Sequence, residues 1–313
     1  MNPEGKDELM SFSRRQFLAL SGAAAAAGAA VPLSAGEASA PSAGEASAGR
    51  VRAGTRPVGA STRPAGASTR PPVVVAPFNP ADWKRVFVTD FPVNVPLGHF
   101  PKAVAGEWGA YSYGWPDTAT ERGLAVGGIY DPGATTWISN GQLHVRQWRS
   151  IHGGPVHCST PYPLAANGVM YGRFIETSRV AHPEVGYKSA HMLWGGTSAL
   201  QDNWPENNWA GFHDIPHAFF HYGASGSGKH QLNFDSRARW TDWHTYEIRW
   251  QPGRLAAYID DRLIGATTQR GIVPTHALRW RLQNESSIVG ASAKPGTWAQ
   301  IDTSHVEYWS WTG

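Results

Sequence analysis

The chain has 313 residues, with 27 Lys and Arg against 24 Asp and Glu, a formal net charge of +3, 15 Trp and one Cys. A single cysteine, Cys158, excludes an intrachain disulfide. The first 77 residues hold 8 of the basic and 5 of the acidic residues, so the remainder is neutral. It lacks the basic face that nucleic-acid binding requires, and it suits an uncharged ligand.

At the N-terminus, Ser13-Arg14-Arg15-Gln16-Phe17-Leu18 precedes an Ala- and Gly-rich run from Ala19 to Leu33. This is the pattern of a twin-arginine export signal, which a receptor reads and which does not anchor the chain. Ala38-Ser39-Ala40 fits the small-residue cleavage rule, with Ser34-Ala35 and Ala46-Ser47-Ala48 as alternatives. Residues 1–40 are therefore expected to be a signal peptide handed to the twin-arginine machinery, and the protein to be secreted or cell-wall-associated. Residues 41–77 are expected to be a disordered linker. Ser34–Ala40 (SAGEASA) recurs as Ser42–Ala48, and Gly59–Pro64 (GASTRP) as Gly66–Pro71. Such composition buries nothing that offsets ordering entropy. The linker arginines either lie on an anionic cell wall or decorate a soluble spacer.

All the tryptophans lie from Trp83 onward, and residues 78–313 form the foldable part. Short alternating runs follow one another, separated by Gly, Pro, Asn and Asp. Gln142–Trp148, Tyr246–Trp250 and Leu255–Ile259 alternate with period 2, and Asp260-Asp261 turns the last of these into Arg262–Gly265. No run of ten or more residues here has helical period. The expectation is an all-β, two-sheet antiparallel sandwich in one domain, and a monomer.

Several segments, taken in order, resemble glycoside hydrolase family 16, the laminarinase and β-glucanase group with a concanavalin A-like jelly-roll fold. They are Tyr113–Asp117, Tyr171–Phe174, Gly186–Trp194, Asp202–Pro205, Thr241–Tyr246, Trp250–Gly253, Tyr258–Asp260, Leu282–Glu285 and Gln300–Asp302. The resemblance implies an endo-acting hydrolase of a β-glucan-like polysaccharide. It implies no cofactor beyond a structural calcium. It also implies a catalytic strand of the form Glu-x-Asp-x-(x)-Glu, whose alternate carboxylates share a face and flank the scissile bond.

Here the sequence departs from the family. The matching stretch is Gly211–His217, in which Phe212 stands at the nucleophile position and His217 at the acid/base position, with Asp214 retained. Three readings stay open. Catalysis survives with Glu206, on a lengthened loop, beside Asp214 and with His217 as proton carrier. Alternatively, the domain is a degenerate hydrolase that binds glycan without cutting it, or compensating frameshifts have altered this stretch.

For substrate contact the resemblance points to Tyr113, Trp115, Trp194, Trp204 and His221, and to Gln283 and Glu285, which alternate on one strand. Trp209 is a further candidate platform in unmatched sequence. Large rings suit the C–H face of a sugar, but they equally fill sandwich cores. His213, His217 and His221 are four apart, too widely spaced on a strand to converge on one metal ion, so no metal site is expected. Cys158 is read as inert. Gly223–Ser227 lacks the strand-to-helix setting of a nucleophile elbow.

Overall fold

The computed structural model describes residues 79–195, 201–208, 215–222 and 230–313, the second of these by its backbone. Eighteen strands lie among the described residues. In chain order they are β1 (Trp83–Thr89), β2 (Trp108–Ala110), β3 (Gly128–Tyr130), β4 (Thr136–Ser139), β5 (Gln142–Arg149) and β6 (Val156–Cys158). Next come β7 (Pro161–Pro163), β8 (Asn167–Val169), β9 (Gly172–His182), β10 (Tyr187–Trp194), β11 (Gln201–Asn208) and β12 (His217–Tyr222). The last are β13 (His230–Asp235), β14 (His244–Gln251), β15 (Arg254–Ile259), β16 (Arg262–Thr267), β17 (Leu278–Ser286) and β18 (Trp298–Trp311). Two single-turn α-helices are interspersed, α1 (Thr118–Glu121) and α2 (Pro132–Thr135). Each is started by an aspartate whose carboxylate accepts a backbone N–H of the first turn, Asp117 from Thr120 and Asp131 from Ala134.

The expected two-sheet sandwich is found. One sheet has the order β16-β15-β14-β9-β18-β5-β6-β3, with β1 also on β18 and β4 also on β5. The other layer runs β13-β12-β11-β10-β17-β8, and β2 and β7 form a separate two-stranded pair. Pairing is antiparallel except between β3 and β6. Consecutive β9 and β10 lie in different sheets, and β17 and β18 do likewise, so the connections cross between layers as in a jelly roll.

Alternation sets the core. Phe174, Ile248, Trp250 and Tyr308 of the larger sheet meet Leu193, Phe220, Trp280 and Leu282 of the smaller one. Phe174 stacks on Tyr308 and meets Trp280 edge to face. Each such burial contributes about 1.5–3 kcal/mol. Two hairpins are closed by residue pairs with positive φ, Asn140-Gly141 and Asp260-Asp261, whose backbone twist suits two-residue turns. Gly186 has φ +93°, and a Cβ there would overlap the backbone of Ala293, so no other residue fits the start of β10.

Candidate functional site

Because Leu193, Phe220, Trp280 and Leu282 point into the core, their strand neighbours face the other way. On β17 these are Arg279, Arg281, Gln283 and Glu285, and on β12 they are His217, Phe219 and His221. This outer face of the six-stranded sheet is the floor of the candidate site.

The centre of that sheet differs from expectation. Gly211–His217 was the expected catalytic strand, with Asp202–Pro205 as the turn before it. Instead β11 occupies the place between β10 and β12, and His217 opens the strand beyond it. Glu206, expected on a loop, lies in β11 with its backbone opposite Ala190 on one side and His217 on the other. The physical reason is that both neighbours supply a backbone ladder, so the polar run Gln201–Asn208 needs no alternation of its own to become a strand. Trp204 and Pro205 fall at the register irregularity between Asn203 and Glu206, which is where a proline without a ladder N–H can sit in a central strand. Phe212, His213, Asp214 and Trp209 lie outside the described residues, as does Gly223–Ser227.

Register then extends the row. Asp235 is opposite His217, and Gln283 is opposite Ala190. One line across five strands therefore reads Asp235, His217, Glu206, Ala190, Gln283. His217 Nδ1 is 2.7 Å from Asp235 Oδ1, which orients the imidazole. Phe219 lies between the rings of His217 and His221, with centroids 5.7 and 6.0 Å away. His217 and His221 are on one extended strand, and among the described residues no group of three His, Cys, Asp or Glu is placed to hold a metal.

Gln283 and Glu285 do share a face, but both are buried. Glu285 has its Oε2 2.8 Å from Lys188 Nζ. Its Oε1 accepts from Thr118 Oγ1 at 3.1 Å, from Gln283 Nε2 at 2.7 Å, and from the Tyr130 hydroxyl. Asp117 accepts from Gly128 N at 2.7 Å, Ser286 N at 3.0 Å and Ser286 Oγ. This network clamps the segment 117–130 against β17. With no exposed surface, the Glu285 carboxylate serves as the anchor of the site wall.

Burial raises the Asp117 carboxyl above its ordinary range, and the nearby Glu285 charge adds to the effect. Glu121 is pushed up from 4.5 to about 7, first by burial and then by Glu285 and Asp117. A carboxyl whose folded pKa exceeds its unfolded one stabilises the fold below the unfolded value and loses that contribution as pH rises through the folded value. Stability should therefore fall between pH 4.5 and 8 in part through Glu121. Glu121→Gln is expected to shrink the difference between those two pH values by on the order of 1 kcal/mol, after allowing for solvent screening. Urea unfolding at both pH values checks this, and an unchanged difference refutes it.

The wall carries the aromatic candidates. Trp115 and Tyr113 are 46% and 73% exposed. Trp115 lies 6.1 Å from the Tyr111 ring, which in turn is 6.3 Å from Tyr162. The Arg281 guanidinium sits 3.9 Å over Tyr162 and 5.6 Å from Tyr111. A continuous run thus leads from an exposed rim to the sheet face. Trp194 pairs with Arg279 in register, with the guanidinium 5.7 Å from its ring. Tyr111, Arg281, Lys188 and Asp235 were not singled out in the sequence. The period-2 run Arg279-Arg281-Gln283-Glu285 was the available signal for Arg281, and no local signal marks the others.

Residues 166–306 match the model of glycosyl hydrolases family 16. No curated protein matches the chain. Among solved structures, LamAcat from Zobellia galactanivorans is similar at 14% identity and TM-score 0.58, over 74% of this chain and 99% of that one. An endo-1,3-β-glucanase from Streptomyces sioyaensis aligns at 14% identity and TM-score 0.57, over 76% and 100%. An immunostimulatory antigen and pseudo β-1,3-glucanase of Mycobacterium tuberculosis gives 14% and 0.57, over 72% and 98%. At these identities the likeness shows the fold.

Proposed function

We propose, from a fold that is β-glucanase-like in the manner of glycosyl hydrolase family 16, that this protein is exported and engages a β-glucan-like polysaccharide along the outer face of the six-stranded sheet. The observation that carries the reading is the run from exposed Trp115 through Tyr111 and Tyr162 to Arg281, with Tyr113 exposed two residues before Trp115. Such a rim offers ring faces to sugar C–H groups and hydrogen-bond donors to hydroxyls. Export through the twin-arginine machinery, as the Ser13–Leu18 motif suggests, would place it where such polymers occur.

The chemistry we assign to it is hydrolysis of O-glycosidic bonds by a remodelled set. Phe212 cannot form a glycosyl ester, so the double displacement that needs a carboxylate nucleophile there is closed. Single displacement needs a carboxylate that activates water and a proton donor for the leaving oxygen. Glu206 and His217 are register partners, and Asp235 holds the imidazole. Glu206, with Asp214, takes the first role and His217 the second.

Incubation with laminarin and with a mixed-linkage glucan tests both parts. Binding with slow release of reducing ends, lost in a Glu206→Gln, Asp214→Asn double variant, is the expected result. Binding with no release after long incubation would replace the hydrolase by a non-catalytic glycan module. Absence of binding to either glucan would sink the polysaccharide reading itself.

A further inference from the structure

A second chemically competent arrangement lies on the other sheet. Leu143 and Ile138 point into the core, so their neighbours His144 and Ser139 face outward from the β4–β5 hairpin, and β18 brings Asp302 alongside His144 in register. Ser139 Oγ is 3.1 Å from His144 Nε2, and His144 Nδ1 is 2.7 Å from Asp302 Oδ1. Both distances fall in the range of a working nucleophile–base–orienter chain.

The surroundings hold the imidazole in place. Its ring stacks on Trp137 at 4.8 Å and 19°. Asp302 also accepts from Gln300 Nε2 at 2.8 Å and Arg179 at 3.3 Å. Burial alone would raise the Asp302 carboxyl, but the hydrogen bonds from His144, Gln300 and Arg179 prevail and hold it below its ordinary value. The carboxylate accepts from Nδ1–H, and a neutral imidazole with its proton there presents the Nε2 lone pair to the serine hydroxyl. Once Nε2 is protonated, the Ser139 carbonyl oxygen 3.3 Å away can accept from it. Ser139 is partly exposed, and the adjoining Asn140 at the hairpin tip is exposed.

We propose that Ser139, His144 and Asp302 form a nucleophilic serine site that takes acyl groups from carboxylic esters, the class of substrate being a short acyl group borne on an exposed alcohol. The Oγ–H proton passes to Nε2 as Oγ bonds to the ester carbonyl carbon. The ester C–O bond then breaks, and the Nε2 proton goes to the departing alkoxide. Water attacks the resulting acyl-serine, gives a proton to Nε2, and the carboxylic acid leaves as Oγ recovers its proton. Asp302 is the positioning residue of the three. The site is independent of the glucan-binding reading, since it uses a different sheet and none of the same residues.

The test uses the full chain with a fluorophosphonate probe, mapping the adduct by peptide mass spectrometry, and with p-nitrophenyl acetate. A covalent adduct on Ser139 is expected, together with acetate release lost in Ser139→Ala. His144→Gln should slow labelling by about 100-fold or more, the usual contribution of a general base. Asp302→Asn should slow it and alter its pH profile, which a purely structural aspartate would not do. If the His144 variant does not fold, adduct mapping in the natural protein and in Ser139→Ala still decides. No adduct at Ser139, or labelling that proceeds equally in His144→Gln, overturns the proposal.

Discussion

Replacing Lys188 by Met is expected to lower the unfolding free energy by about 3–5 kcal/mol, the usual cost of stranding one partner of a buried ion pair. The two side chains, 4% and 0% exposed, have Nζ and Oε2 2.8 Å apart. Without the ammonium, the Glu285 carboxylate keeps its donors from Thr118, Gln283 and Tyr130 but faces a low-dielectric interior with its charge uncompensated. Adding Glu285→Gln to Lys188→Met should recover part of the loss, because the buried charge is then gone. The pair is therefore coupled, and a double-mutant cycle in urea at pH 7 measures it. A single variant that loses less than about 1 kcal/mol, or a double variant that loses the sum, would show that this pair does not hold the wall as described. The same network secures the segment that bears α1 and the rim, so weakening it should also weaken glucan binding.

The double variant Tyr113→Ala, Trp115→Ala is expected to reduce laminarin affinity about 10-fold or more while leaving the urea midpoint nearly unchanged. Exposed rings contribute little to stability, since truncating them leaves no cavity. Each platform lost from a sugar site removes roughly 1 kcal/mol, and two together exceed a tenfold change in Kd. Tyr111→Ala is the informative contrast. It lies against Tyr130 at 4.9 Å and near Arg281, so its loss should lower both stability and affinity. Titration calorimetry beside urea unfolding separates the two. Unchanged affinity in the Tyr113, Trp115 variant would remove the rim from the binding surface.

Much of this protein is readable in one dimension. The runs Gln142–Trp148 and Tyr246–Trp250 alternate broadly as half-buried strands do and are found in β5 and β14, whereas Leu255–Ile259 forms β15 but is buried along its whole length. Asp260-Asp261 is a turn because both residues adopt positive φ there. That Gln283 and Glu285 share a face follows from the same period. The export signal and the linker are expectations from local patterns, and they lie outside the described residues. What needed the folded molecule is of another kind. Gln201–Asn208 is polar and contains Pro205, and only the ladders offered by β10 and β12 make it a strand. No spacing announces that Lys188 meets Glu285, that Asp235 orients His217, or that Ser139, His144 and Asp302 fall in line. Alternation is set by burial within one strand, whereas these meetings depend on the register between strands remote in sequence. That register is chosen by the packing of the two sheets on their common core, where a slip of one residue would turn every apolar side chain to water.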